Sequence, residues 1–140
     1  MDKPTKGKSA IVTGGGSGIG RSICNRLASE GIRIEVLDLD IESAEKTVEA
    51  IQTAGGDAAA YTCDMASRSQ VATVVDKILA TGNIDILVNN AGIAHVGNIE
   101  HTDEADMDRL YKVNIKGVYN AMAAVIPAMR ARNYGVIVNL

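Results

Sequence analysis

Residues 9–20 read Ser9-Ala10-Ile11-Val12-Thr13-Gly14-Gly15-Gly16-Ser17-Gly18-Ile19-Gly20. An apolar run enters a glycine-rich turn. A helical pattern leaves it, with Ile19, Ile23 and Leu27 recurring at i, i+4 and i+8. Strand, glycine turn and helix together bring a helix N-terminus up to a phosphate. Some glycines admit positive φ in the turn, and others remove a Cβ so that a diphosphate can touch the backbone. The unpaired N–H groups and the dipole of the helix then favour the anion. The spacing is not G-x-G-x-x-G, because Ile19 or Arg21 stands where the third glycine is needed. No G-K-[ST] follows, which excludes the mononucleotide P-loop. The pattern that fits is T-G-x-x-x-G-x-G.

Further strands and helices follow in alternation. Gly31 is a stop for the first helix. Residues 32–37 predict a second strand that ends at Asp38. Asp40 can cap a helix that places Ala44, Val48 and Ile51 on one face and stops at Gly55-Gly56. A third strand spans Ala58 to Thr62. Ser67 can cap a helix with Val71, Val74, Val75 and Ile78 inward. A fourth strand spans Ile84 to Val88 and leads into Asn89-Asn90-Ala91-Gly92. A long helix is predicted from Thr102 to about Arg132, bent or loosened near its end by Pro127. Met107, Leu110, Val118, Met122 and Val125 read as core or interface packing. Residues 135–140 predict a fifth strand.

Nearly unbroken apolar strands alternating with helices mean a parallel sheet covered on both faces. The expectation is one α/β domain over residues 1–140, a doubly wound, Rossmann-like sheet of order 3-2-1-4-5. Its ligand belongs at the carboxyl ends of the strands, where the order reverses between strands 1 and 4.

Of the 140 residues, 46% are hydrophobic, enough for a real core, and the net charge is −3 with no basic block. Nucleic acid and anionic membranes are therefore not expected partners. Residues 1–8 are polar, so no signal peptide is expected, and no apolar run approaches the roughly 20 residues of a membrane span. Cys24 and Cys63 lie far apart in apolar segments and read as two buried free thiols of a cytoplasmic protein.

Asp38 closes strand 2, 18 residues after Gly20. A carboxylate there can accept hydrogen bonds from an adenosine ribose, whereas a 2′-phosphate would face a like charge. Leu39 follows it rather than Arg or Lys, and Ser17 in the turn is uncharged. NAD(H) is therefore expected over NADP(H). Asp64 can accept from an adenine amino group or serve as a plain turn aspartate. The amides of Asn89 and Asn90 can tie neighbouring loops together, or one can make an Asx-turn. Asn114 sits mid-helix, where Asn is a poor choice, so it is solvent-facing or kept for a task. His95 and His101 have no second ligand at metal spacing and read as surface histidines, so no metal is expected.

Together these residues resemble the N-terminal part of a short-chain dehydrogenase/reductase. The matching motifs are Thr13-Gly14-x-x-x-Gly18-Ile19-Gly20, Asp38, Cys63-Asp64-Met65, Asn89-Asn90-Ala91-Gly92 and Val113-Asn114-Ile115-Lys116-Gly117, and they cover nearly all of residues 9–140. The resemblance implies that the turn holds the cofactor diphosphate and that Asp64 contacts adenine. It implies that the Asn-Asn-Ala-Gly segment stabilises the sheet and passes beside the nicotinamide ribose. Asn114 would belong to a catalytic tetrad, kink its helix and position a water. The cofactor is thus expected against Gly14, Gly16, Ser17, Gly18, Ile19 and Gly20 in the turn. It should also meet Asp38 and Leu39, Asp64 and Met65, Asn90, Ala91 and Gly92, and Val113.

The family also uses a serine and a Tyr-x-x-x-Lys after the fifth strand. Tyr61, Tyr111, Tyr119 and Tyr134 are followed four residues on by Met65, Ile115, Ala123 and Val138, so none qualifies. The sequence reads as an enzyme cut after its fifth strand. The implied reaction is hydride transfer between a nicotinamide and a secondary alcohol or ketone, with a 3-oxoacyl thioester, a polyol or a sugar among the possible substrates. The alternative is an NAD-binding module without redox turnover. A homo-oligomer, dimer or tetramer, is expected, with residues 136–138 on an open edge and the apolar side of residues 107–125 partly uncovered. Ile93, Ala94, His95 and Val96 are expected at one wall of the mouth.

Overall fold

The computed structural model describes residues 3–140; Met1 and Asp2, part of the polar start, lie outside the described residues. Five strands form one parallel sheet: β1 (Ser9–Thr13), β2 (Arg33–Asp38), β3 (Ala58–Thr62), β4 (Ile86–Asn89) and β5 (Val136–Asn139). Their order is β3-β2-β1-β4-β5, the order expected from the sequence. In register, Val12 lies opposite Val36 on one side and Val88 on the other.

Alternation along the strands splits the core in two. Ala10, Val12, Ile34 and Val36 face α1 (Gly18–Ser29) and α2 (Ile41–Thr53), meeting Cys24, Ala44 and Ile51. Ile11, Leu37 and Leu87 face the other way, onto α3 (Arg68–Leu79) and α5 (Gly117–Ala131), meeting Val71, Val75, Ile78 and Val125. Burying each such aliphatic side chain contributes about 1.5–3 kcal/mol. Cys24 and Cys63 are buried and free.

Among the departures from expectation, three have a visible cause. β4 starts at Ile86 rather than Ile84, because the Asp85 carboxylate is taken by the Ser9 N–H at 2.9 Å and by Arg132 at 3.0 Å. The long helix starts with α4 (Glu104–Tyr111), capped by Asp103 rather than Thr102. Asp103 and Asp106 form a reciprocal capping box, while the Thr102 hydroxyl donates to Asn98 O. The helix is then interrupted by a π turn, Lys112–Lys116, and α5 continues through Pro127 to Ala131. The irregularity sits around Asn114, where the resemblance implied a kink. A short 3₁₀ turn, Ile99–His101, precedes α4.

β5 pairs only with β4, and Val136 and Val138 are exposed. Val125 is fully buried, but Met107, Tyr111, Ile115 and Tyr119 form an exposed stripe at helical spacing. Among the described residues, no helix is long and apolar enough to cross a membrane.

Candidate functional site

At the carboxyl ends of the strands lies a cleft of about 430 Å³. It is lined by the glycine turn, the ends of β2 and β3, the segment after β4, and Val113. Every position expected to meet a cofactor lies on this wall except Gly16. Leu37, Cys63 and Ile93 line it too. Leu37 and Cys63 were not singled out because each reads from sequence as an ordinary core residue.

The turn leaves β1 through Gly14, whose φ is +64°, and Gly18 has a φ of +52°. A Cβ on Gly20 would lie 2.1 Å from Gly14 O and 2.4 Å from Asn90 Nδ2, so only glycine lets α1 pack this closely. Gly18, by contrast, faces open space, with nothing within 4 Å of where its Cβ would be. Ser17 occupies the N-cap of α1 but makes no side-chain cap, and the first turn holds no acidic residue. By contrast α2, α3 and α4 are capped by Asp40, Ser67 and Asp103. The first N–H groups of α1 are thus left for something in the cleft, and this arrangement fits the diphosphate of a dinucleotide.

Asp38 is fixed at both oxygens. Oδ2 accepts the Gly16 N–H at 2.9 Å, and Oδ1 accepts the Asp40 N–H at 3.0 Å. Asp40, not Asp38, caps α2. Gly16 lies behind the cleft, where a Cβ would sit 2.7 Å from Asp38 Oδ2. Leu39 stands on the rim, 71% exposed. Asp64 accepts the Ala66 N–H at 3.0 Å, the geometry of a turn aspartate, and also lines the cleft with Met65.

The floor is stitched by side chains. The Thr13 hydroxyl accepts N–H bonds from Asn90 at 3.0 Å and Ala91 at 2.9 Å. Asn90 Nδ2 donates to the Thr13 and Gly14 carbonyls at 3.0 and 3.1 Å, and Asn89 Nδ2 donates to Asn139 Oδ1 at 2.8 Å. The two amides therefore tie β1, β4 and β5 together at the strand ends. Asn114 clamps one residue: its Oδ1 accepts the Ile93 N–H and its Nδ2 donates to Ile93 O, both at 2.8 Å. Asn114 does not line the cleft, but the residue it holds does.

Burial raises the Cys63 thiol from its ordinary 9.0 to about 11, with the Asp64 charge adding to the shift. Burial raises Cys24 to about 12. Both are thus unreactive thiols rather than nucleophiles at neutral pH. His101 is exposed, but His95 is not a plain surface histidine: its Nε2 is buried, without a hydrogen bond, 3.8 Å from Asp106 Oδ2.

The family model described as short chain dehydrogenase matches residues 8–140. The chain belongs to that family. Its relatives include an uncharacterised oxidoreductase of Thermotoga maritima, 40% identical over 96% of this chain and 53% of its own length. Among solved structures, an NAD+-bound xylitol dehydrogenase superposes with a TM-score of 0.94 at 36% identity, covering 98% of this chain and 54% of the other. A metagenomic short-chain oxidoreductase in complex with NADP gives 0.92 at 35% identity, covering 96% and 62%. This short-chain dehydrogenase chain therefore spans between 53% and 62% of the length of these proteins.

Proposed function

We propose that these 140 residues form the NAD(H)-binding part of a dehydrogenase acting on a secondary alcohol or ketone. The observation that carries the reading is the pairing, in one cleft, of an uncapped α1 N-terminus with a carboxylate fixed by two backbone N–H groups. The α1 amides hold the diphosphate. Asp38 accepts the ribose hydroxyls, and its charge disfavours a 2′-phosphate, which makes NADP(H) the weaker ligand. Arg21 does not line the cleft and so offers no direct counter-charge there. Asp64 and Met65 flank the adenine, and Asn90 to Gly92 with Val113 border the nicotinamide side. When bound, the nicotinamide supplies or accepts the hydride. Asn114, the chain's one candidate catalytic residue, holds the N–H and the carbonyl of Ile93, which forms the wall beside it.

The tyrosine, lysine and serine of the family's proton relay are not among these residues. A general base of that kind contributes roughly 10²–10⁴ in rate. The substrate reading stays at the level of a secondary alcohol or ketone, with polyols and sugars, 3-oxoacyl thioesters and simple alcohols as instances. The likeness to a xylitol dehydrogenase supports including the polyol. A homo-oligomer and a cytoplasmic location belong to the same proposal, the oligomer supported by the exposed Met107, Tyr111, Ile115 and Tyr119 stripe.

The missing Tyr-x-x-x-Lys favours a second reading for the chain by itself, an NAD-binding module without turnover. Parallel titrations with NADH and NADPH test the first proposal, with saturable and tighter NADH binding expected. Equal or tighter NADPH binding contradicts it. An NADH oxidation assay with ketones then separates the readings, because substrate-dependent turnover by these 140 residues eliminates the module.

A further inference from the structure

We infer that Arg21 and Thr47, neither of which lines the cleft, are positioning residues that fix Asp38 and thereby set the preference for NAD(H) over NADP(H). The inference rests on the cofactor reading above and goes beyond it in naming what enforces the preference.

A chain of bonds runs from helix to carboxylate. Arg21 Nε donates to Thr47 Oγ1 at 3.2 Å. The Thr47 hydroxyl, fully buried on α2, donates in turn to Gly15 O at 3.0 Å. Because Thr47 Oγ1 accepts from the guanidinium, its own proton is directed to that carbonyl, with Ser43 O a longer alternative at 3.4 Å. Gly15 O and the Gly16 N–H belong to one planar trans peptide, so they point in opposite directions. Holding the oxygen on α2 therefore aims the N–H at Asp38 Oδ2, where it donates at 2.9 Å.

Arg21 also holds the next peptide, since its Nη2 donates to Gly16 O. The guanidinium thus locks two successive peptides of the turn from behind. A planar fork of donors suits this task, which a lysine ammonium cannot duplicate. Without the relay, Asp38 keeps only the Asp40 N–H, on Oδ1. The carboxylate is then free to rotate, which weakens its grip on ribose hydroxyls and relieves its clash with a 2′-phosphate.

The test uses the whole 140-residue chain and three variants, Thr47→Val, Arg21→Met and Arg21→Lys. Each is titrated with NADH and with NADPH, and thermal unfolding is recorded alongside. The wild type binds NADH the more tightly. All three variants lower the ratio of NADH to NADPH affinity, Thr47→Val and Arg21→Met by about tenfold, the effect of one charge-assisted hydrogen bond. Arg21→Lys keeps the charge, so its lowered ratio separates geometry from simple attraction of the diphosphate. A purely structural role moves the unfolding temperature, or both affinities together, and leaves the ratio unchanged; that result overturns the inference alone. Failure of the wild type to bind either dinucleotide overturns the cofactor reading, and this inference with it.

Discussion

Two hollows lie at opposite ends of the same sheet, and the larger one is bordered by the wrong ends of the helices for an anion. At the amino ends of the strands a cavity of about 840 Å³ is bordered by helix C-termini, around residues 28–31, 54–56 and 78–82. Several of its charges are already engaged. Arg33 meets Glu35 at 2.6 Å and Asp57 at 2.7 Å, Arg132 meets Asp85 at 3.0 Å, and Lys8 caps the Tyr134 ring and hydroxyl. At the carboxyl ends the smaller cleft is lined by the N-terminus of α1, which is left without a side-chain cap. Volume alone does not make a site. Backbone N–H groups left uncapped at the positive end of a helix dipole suit an anion, whereas the unsatisfied atom at the larger cavity, Glu35 Oε2, is a buried acceptor.

The contrast breaks most severely at Gly20. Gly20→Ala forces a Cβ into Gly14 O and Asn90, and we expect a loss of roughly 3 kcal/mol in denaturant unfolding together with loss of NADH binding. A variant as stable as wild type would show that the close approach of α1 to the turn is not needed. The opposite rim gives the complementary expectation. Asp85→Asn weakens the pairing with Arg132 and Ser9, lowering stability by about 2 kcal/mol while leaving NADH affinity unchanged. A fall in affinity there, at constant fold, would erase the distinction between the two ends.

Ser17→Asp sharpens the comparison by making α1 resemble α2. A capping carboxylate stabilises the free chain by about 1 kcal/mol yet repels the diphosphate, weakening NADH roughly tenfold. Stabilisation without loss of binding would contradict the placement of the diphosphate.

The smallest effect is alkaline. Cys24 and Cys63 titrate near 12 and 11 when folded, against 9.0 ordinarily. Below pH 9 both states keep these protons. Above it the unfolded chain releases them first, so stability falls as pH rises, by roughly 0.5 kcal/mol per thiol between about pH 9 and 9.5. Replacing either cysteine by alanine and finding the same pH slope would refute this assignment.

What was legible in the sequence follows from local rules. The strand order came from alternation of apolar runs with helices, and the caps at Asp40 and Ser67 from their short polar side chains beside a periodic run. The wall of the cleft came from the glycine motif, from Asp38 at the end of β2 and from the family resemblance. What stayed hidden depends on which partner each polar group takes in the folded chain. Thr102 lost the cap to Asp103 because its hydroxyl turns to Asn98 O. Ile84 and Asp85 stay out of β4 because Asp85 serves Ser9 and Arg132. Gly16 reads as a ligand-contacting glycine, but it packs against Asp38 and Ser43 instead. Arg21 and Thr47 carry no periodic or motif signal, since their relation exists only once α1 and α2 are side by side.

The most direct measurement follows individual backbone amides by NMR as NADH is added. Gly18, Ile19 and Gly20, at the open end of α1, should shift and gain protection from exchange, while Glu42 and Ser43, already bonded to Asp40, should stay in place. Binding that leaves the α1 amides unmoved, or that perturbs the amino-end rim around Arg33 and Arg132 instead, would contradict the account.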